Sequence, residues 1–277
     1  MKRLLEIELY KIFTNKASKV LVFVYFGLLL SMAFIAMIKF DIGPFKFHLA
    51  KQGIFDFPLI WHFNTFIAAL LKIFLAIIIV SMVSNEYANK TLKQNLIDGL
   101  SKSEFMKSKF YTVLLFSFVS TLFVVFVSLV LGFIYSKEVT MSLMFTDLQF
   151  IMAYFVKLMG FFTLCLFLGL LIKRSAFALG FLLILYISEN VGHGLIRFFG
   201  VEPEMASDII NFLPLHSMGG LISEPFTRLD IVGAIGEQIG EQMQFDHNVP
   251  MLNVFIVIAW TGIFYLLSLK LLKSRDL

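Results

Sequence analysis

Long apolar stretches separated by short charged segments dominate this chain. Six of them approach the roughly 20 residues that an α-helix needs to cross the hydrocarbon core of a bilayer. They are Val20–Ile38, Phe63–Val83, Phe110–Tyr135, Phe150–Ile172, Ser175–Asn190 and Met251–Leu269. The fifth is the shortest, because Glu189 interrupts it. The pattern predicts an all-α membrane protein of six transmembrane helices, with residues 1–277 forming a single domain.

Composition supports lipid as the solvent of this chain. The residues are 59% hydrophobic and only 15% charged, and Phe alone occurs 34 times. A water-soluble domain of this size has no use for so much apolar surface. Cys165 is the only cysteine and lies within the fourth predicted span, so no disulfide can form within the chain.

Positive charge predicts the orientation of the spans. Lysines and arginines are concentrated near both termini, in the segment 85–109 and at Lys173 and Arg174. The positive-inside rule then places these segments and both termini in the cytosol. The excess charge is spread over every inner segment, so we expect a lipid bilayer rather than nucleic acid as the partner of these residues.

Two flanking segments are also predicted to be helical. Residues 1–19 show leucine, isoleucine and phenylalanine at helical spacing beside a basic face, which predicts an amphipathic helix on the inner membrane surface. The alternative is a charged flank that only anchors the first span. Residues 191–250 form the longest stretch outside the spans and carry a net negative charge. We expect a helical extracytoplasmic segment there, between spans five and six.

The segment 85–109 has the pattern of a helix, a stop and a second helix. Glu86 and Lys90 have the i,i+4 spacing of a helical ion pair. Gly99 is placed to end the first helix, and Ser101 with Glu104 forms a capping-box pattern that starts the next one. Apolar residues in the first helix share one face: Ala88, Leu92 and Leu96. A short helix with one apolar stripe below the membrane suggests a docking element; the alternative is a solvated hairpin.

Three charged residues fall within predicted spans. Lys72, Lys157 and Glu189 all lie in the predicted outer half of the membrane. Charges inside a bilayer are costly unless they are paired or hydrated, so they indicate function. One hypothesis is a shared intramembrane polar site that contacts substrate or acts as a gate. The alternative is that each lysine extends its alkyl stem towards the outer headgroups.

Enzymatic chemistry is not predicted from the remaining residues. Glu189, His193, His216 and His247 are the only candidates for a zinc site, and no HExxH motif or second paired motif accompanies them. We therefore expect no metal site. The chain also has no Walker A motif, because the glycine spacing around Gly99 is wrong for a P-loop, so it cannot hydrolyse ATP by itself.

The layout resembles the permease subunit of ABC-2 type ABC transporters. The resemblance includes six spans, cytosolic termini, an amphipathic lead-in and a long outer segment between spans five and six. In the loop before span three, it includes Glu86, Lys90, Thr91, Gly99, Leu100, Ser101, Phe105 and Lys109. The loop motifs cover only about residues 85–109, whereas the layout covers the whole chain.

The resemblance implies an export function that depends on other subunits. It implies that 85–109 is a coupling helix contacting a separate cytosolic ATPase, through Glu86, Lys90, Thr91, Leu92, Leu96, Gly99 and Phe105. ATP and magnesium would bind that ATPase, leaving this chain without a cofactor and without catalytic residues. A second permease copy, identical or related, would complete the transporter.

Two other classes of function remain open. One is an ion-coupled secondary transporter that uses Lys72, Lys157 and Glu189 as a relay, although no inverted repeat supports it. The other is an enzyme acting on lipids, for which the sequence offers no nucleophile and base. The carrier would need an ion gradient, and the permease would need a partner ATPase.

Overall fold

The computed structural model describes residues 2–35, 39–42, 45–48, 53–199, 203–228 and 247–275. These residues are predominantly helical. The helices are α1 (Lys2–Thr14), α2 (Lys16–Ile35), α3 (Leu59–Leu71), α4 (Ile73–Ala88), α5 (Thr91–Ile97), α6 (Lys102–Tyr135), α7 (Met141–Phe145), α8 (Gln149–Ile172), α9 (Ser175–Phe198), α10 (Pro203–Asn211), α11 (Pro214–Gly220) and α12 (Met251–Ser274). A 3₁₀ turn covers Phe226–Arg228.

A short hairpin departs from the all-helical prediction. Strands β1 (Lys39–Ile42) and β2 (Phe45–His48) pair antiparallel, with Lys39 opposite His48 and Ile42 opposite Phe45. The end of the first predicted span, 36–38, lies outside the described residues, as do 200–202 and 229–246 of the predicted extracytoplasmic segment.

The helices are long and apolar enough for a multi-pass membrane protein. Four stretches meet the requirements of length and hydropathy by themselves: Lys102–Tyr135, Met141–Ile172, Ser175–Phe198 and Met251–Ser274. Two bent pairs raise the count to six if each pair is one span. These pairs are Arg3–Thr14 with Lys16–Met32, bent by 92°, and Leu59–Leu71 with Ile73–Ala88, bent by 40°.

The sharp bend between α1 and α2 has a local cause at Asn15. Its side-chain Oδ1 accepts hydrogen bonds from the backbone N–H groups of Ala17 at 3.0 Å and Ser18 at 3.2 Å. An Asn in this position caps the first turn of α2 and starts a new helix direction. Helix α1 therefore runs nearly perpendicular to α2, the geometry that a helix on a membrane surface requires.

Helix α8 forms the centre of the bundle. It packs against α3, α4, α6, α9, α11 and α12, and most of its residues are buried. The close approach of α8 to α12 depends on Gly160, because a Cβ atom there would lie 2.7 Å from Val257 Cγ1. Small residues let helix backbones approach in this way within membranes. The glycine therefore packs α8 onto α12 within the chain.

Helix α9 continues past the predicted end of the fifth span. The sequence placed this end at Asn190 because Glu189 is charged, but the helix runs to Phe198. The helix continues through Glu189 for a physical reason: the Glu189 carboxylate accepts hydrogen bonds from backbone N–H groups of α11. A charge that finds such donors does not need to end a helix.

Candidate functional site

The segment between α4 and α6 forms a separate short helix, α5, whose start is set by the backbone. Lys90 has a left-handed conformation, with φ 57° and ψ 14°, and joins the end of α4 to Thr91. This turn removes the helical geometry in which Glu86 and Lys90 would pair at i,i+4. The predicted ion pair is therefore wrong, and Glu86 pairs with other lysines.

The end of α5 confirms the predicted stop at Gly99. Gly99 has φ +98°, a conformation that side chains with a Cβ rarely adopt. Its N–H donates to the carbonyl of Leu96 at 3.2 Å, and the N–H of Leu100 donates to the carbonyl of Asn95 at 3.0 Å. These two bonds form a Schellman motif, which satisfies the last carbonyls of the helix.

The start of α6 confirms the predicted capping box. The Ser101 hydroxyl accepts from the N–H of Glu104 at 3.1 Å, and the Glu104 carboxylate accepts from the N–H of Ser101 at 2.9 Å. The two residues thus satisfy each other's free N–H groups. The C-terminal end of α5 and the start of α6 are consequently fixed by local hydrogen bonds.

The predicted apolar stripe does not form one exposed docking surface, because Leu92 faces the bundle whereas Ala88 is exposed. Leu92 is only 1% exposed, as is Phe105 at the start of α6, and Leu96 is half-buried. Leu92 and Phe105 both belong to the hydrophobic core, so Leu92 seats α5 on the helices behind it. The large apolar side chain on the outer face is instead Ile97, which is 75% exposed. Lys90, Lys93, Gln94, Asp98 and Gly99 are also exposed there, whereas Thr91 is half-buried.

Behind α5, four charged groups form a buried network that links three helices. The Lys109 ammonium, 0% exposed, donates to Glu8 Oε2 at 2.6 Å and to Glu86 Oε1. Lys11 also donates to Glu86 Oε1, at 2.9 Å. We call Glu8, Lys11, Glu86 and Lys109 the charge network. Its two carboxylates balance its two ammonium groups, which is the condition for keeping ions buried.

The charge network also extends to α5 and sets the state of Lys11. Asn95 of α5 donates its side-chain N–H to Glu86 Oε2 at 3.2 Å. Burial lowers the pKa of the Lys11 ammonium, but the carboxylates of Glu8 and Glu86 raise it by more, so this pKa lies above its ordinary value. Helices α1, α4, α5 and α6 are therefore joined through one set of charged hydrogen bonds.

The C-terminal end of α12 closes the same end of the bundle. Lys102 donates to the carbonyl of Arg275 at 2.7 Å. The Arg275 guanidinium donates to the Tyr87 hydroxyl at 3.1 Å and to the carbonyl of Leu170 at 2.6 Å. We call this end, where α1, α5 and the end of α12 meet, the α5 end.

The structure brings Lys72 and Lys157 to one cavity and separates them from Glu189. Both lysines line a cavity of about 570 Å³ between α3, α4, α8, α9 and α11, which we call the lysine cavity. Lys157 is 5% exposed and donates to the carbonyl of Gly219 at 3.1 Å. The Lys72 ammonium lies 4.6 Å from the centre of the Phe161 ring. Since Lys157 is buried and hydrogen-bonded inside the bundle, its alkyl stem does not carry the ammonium group out of the bundle.

Glu189 lies at the other end of α11 from Gly219. Its carboxylate accepts from the N–H groups of Leu215 at 3.2 Å and His216 at 2.7 Å, where α11 has no capping side chain of its own. Its hydrogen bonds within the described residues do not reach either lysine. The predicted shared site is therefore divided: Lys157 binds one end of α11 and Glu189 the other.

A polar cluster at the opposite end of the bundle was not predicted. Buried His62 contacts the carbonyl of Ser223 at 2.9 Å through Nε2 and lies 3.3 Å from Arg228 through Nδ1. Arg228 also pairs with Asp147 at 2.7 Å. The partners are 81 and 166 residues apart in sequence, so no local spacing could have revealed them. The cluster holds α3, the start of α8 and the Phe226–Arg228 turn together.

The histidines considered for zinc have separate environments. His193 and His216 have ring centres 5.5 Å apart, and burial, with a smaller contribution from His193, lowers the pKa of His216. His247 lies near His62 instead, with ring centres 5.9 Å apart. Within the described part of the chain, no three His, Cys, Asp or Glu residues are grouped so that they could hold a metal ion.

Comparison with known proteins gives a family without an assigned activity. A family model described as "Protein of unknown function (DUF2705)" matches residues 20–277. The match starts within α2, after α1, and includes all six predicted spans and the α5 segment. No curated protein matches the chain. The chain belongs to the DUF2705 family.

Proposed function

We propose that this chain is the permease subunit of an ATP-driven ABC exporter in the bacterial inner membrane. The single observation that carries the proposal is the geometry of α5. It is a short helix that starts after the left-handed Lys90 and ends in a Schellman motif at Gly99, and its outer face carries the exposed apolar residue Ile97. This helix is seated on the ends of two candidate spans. Its geometry therefore suits contact with a soluble partner better than the alternative interpretation of the segment, a solvated hairpin, would.

The partner in this proposal is a separate cytosolic ATPase, which binds ATP and magnesium. An exposed isoleucine flanked by Lys93, Gln94 and Asp98 has the form of an interface: an apolar anchor with a polar rim. The α5 end and both termini would face the cytosol. In this account Glu86, Leu92, Leu96 and Phe105 act indirectly, because they hold α5 in place rather than contacting the ATPase.

The charge network supplies a physical route from α5 into the bundle. Closure of the ATPase on ATP would displace α5, and Asn95 would carry this displacement to Glu86. Glu86 is joined to α1 through Lys11 and to α6 through Lys109. These helices would therefore move together, as elements of a two-state change that ATP binding favours.

A complete exporter would contain two permease chains. Helix α9 supports this part of the proposal, since only Ala178, Leu182 and Glu189 of its residues are buried within the chain. Large apolar side chains such as Phe177, Phe181 and Ile184 remain exposed on it. A second copy could cover part of this surface, and lipid the rest. The transported substrate would pass between the two copies.

The test uses the exposed residue of α5 and a matched control. Full-length tagged protein is purified from native membranes in mild detergent, and co-purifying proteins are identified by mass spectrometry. We expect a stoichiometric partner that carries a Walker A motif. Ile97→Asp should reduce its recovery at least about tenfold, as expected for a hot-spot residue whose loss costs 2 kcal/mol or more.

The control variant is Met141→Asp, at an apolar residue of similar exposure (73%) in α7, far from α5. It should leave recovery of the ATPase unchanged. Equal recovery from wild type and Ile97→Asp would contradict the assignment of α5. Purification of the wild-type chain without any ATPase, even after cross-linking in the membrane, would contradict the permease function itself.

A further inference from the structure

We propose that the lysine cavity binds the headgroup of an anionic phospholipid from the surrounding bilayer. The cavity measures about 570 Å³, within the range of sites that hold small molecules. Lys72 contributes to it from the junction of α3 and α4, and Lys157 from α8. The inference does not require the proposed export function, since it concerns a site in this chain alone.

The first argument is charge. Lys72 and Lys157 both line this cavity, and none of its described lining residues is a carboxylate. Lys157 has a neutral partner, the carbonyl of Gly219, and Lys72 lies over the ring of Phe161. Two cations in a low-dielectric site repel each other and are costly to bury. A phosphate between them would give both ammonium groups a charged hydrogen-bond partner.

The second argument is the chemistry of the lining, which suits an amphiphile rather than a small hydrated anion. Apart from the two lysines and Tyr186, the lining is apolar: Phe66, Ala69, Leu70, Ile73, Ile77, Phe161, Leu179, Leu182, Leu183, Leu215, Gly219 and Ile222. An anion that gave up its hydration shell there would gain little from such walls. A lipid brings acyl chains that favour them.

The third argument is where the cavity opens. Its rim includes Leu70, Leu183 and Tyr186, which are 62%, 59% and 58% exposed. These residues belong to candidate membrane spans, so the surface around the opening is one that a bilayer would cover. A phospholipid could therefore enter sideways, with its phosphate between the lysines and its acyl chains along the exposed surface of α9.

The test measures lipid preference in the full chain. Wild-type protein is placed in nanodiscs of phosphatidylcholine, and association of spin-labelled phosphatidylglycerol is compared with that of spin-labelled phosphatidylcholine by electron paramagnetic resonance. We expect wild type to prefer phosphatidylglycerol. Each of Lys72→Gln and Lys157→Gln should reduce the preference about fivefold, as expected for the loss of one lysine–lipid contact, and the double variant should abolish it.

Two further variants separate charge at this site from total charge and from folding. Lys137→Gln removes one positive charge from an exposed lysine that pairs with Asp56, and should keep the preference. The double variant Lys72→Arg/Lys157→Arg keeps both charges and should also keep it, which shows that substitution of these residues does not unfold the chain.

Several results would overturn the inference. One is a wild type without preference for phosphatidylglycerol, and another is a preference that survives in the double glutamine variant. Loss of the preference in Lys137→Gln would show that the lipid preference depends on charge outside the lysine cavity. Displacement by millimolar glycerol 1-phosphate would identify a soluble anion as the occupant. Cross-linking of Leu183→Cys between two chains, with exclusion of lipid, would identify a second copy at the rim.

Discussion

The α5 end and the lysine cavity both bury lysines, but they treat the charge differently. At the α5 end, Lys109 is 0% exposed and donates to two carboxylates, Glu8 and Glu86. In the cavity, Lys157 is almost as buried, yet it donates to the carbonyl of Gly219. Carboxylates of the same chain balance the charge of Lys109. No carboxylate among the described lining residues of the cavity does the same for Lys157. The difference suggests that the first arrangement serves the structure and movement of the protein, and the second serves a ligand.

This comparison depends on the cost of buried ions. Removing one member of a buried, balanced group leaves the opposite charge without a partner, which is strongly destabilising. Removing a buried ion that lacks a counter-charge also removes its desolvation cost, so the net effect is small. The two lysines should therefore respond differently to the same substitution, even though their burial is similar.

The largest effect is expected for Lys109→Met. This change leaves the buried carboxylates of Glu8 and Glu86 with only half-buried Lys11, and should cost about 3–5 kcal/mol of folding free energy. The measurement is the midpoint of thermal unfolding in detergent. Lys107→Met, at an exposed lysine of the same helix, is the matched control and should leave the midpoint almost unchanged. Equal midpoints for the two variants would show that the charge network does not stabilise the protein.

An intermediate effect is expected for Glu189→Leu. The change leaves the first N–H groups of α11, those of Leu215 and His216, without their acceptor, at a cost of about 1–3 kcal/mol. Hydrogen exchange should show faster exchange of these amides, while the amides of α8 keep their protection. Glu189→Gln keeps one acceptor oxygen, so the exchange rates of these amides should lie between those of wild type and of Glu189→Leu. Unchanged exchange in α11 would refute the capping role.

The smallest effect is expected for Lys157→Met in nanodiscs of neutral lipid. Loss of the hydrogen bond to Gly219 costs about 1 kcal/mol. The variant also lacks the desolvation cost of a buried ammonium group, and this difference offsets the loss. The midpoint of thermal unfolding should therefore stay close to that of wild type. A destabilisation as large as that of Lys109→Met would remove the contrast between the two regions and indicate a counter-charge for Lys157.

Features with local causes could be predicted from the sequence. The end of α5 at Gly99 and the start of α6 at Ser101 depend on residues within a few positions of each other, and both are confirmed. The apolar stretches likewise predicted helices fit to span a membrane. The pairing of Glu86 with Lys90 was wrong, although it too is local, because the left-handed Lys90 ends the helix between them.

Features that join distant parts of the chain could not be predicted in the same way. Lys109 and Glu8 are 101 residues apart, and Glu189 and His216 are 27 apart. Their pairing is set by the packing of helices, which spacing does not reveal. The direction of the α5 stripe is a similar case. Its periodicity identified an apolar face, but only the fold shows that Leu92 points inwards and Ile97 outwards.

The most direct test of the central claim is site-specific photo-cross-linking from α5 in living cells. A photoreactive amino acid replaces Ile97 in one strain and Met141 in another, and the captured proteins are identified by mass spectrometry. The account predicts that position 97, and not position 141, captures a protein with a Walker A motif. Capture of no such ATPase at position 97, or equal capture at both positions, would contradict the claim that α5 is the contact through which a separate ATPase drives this protein.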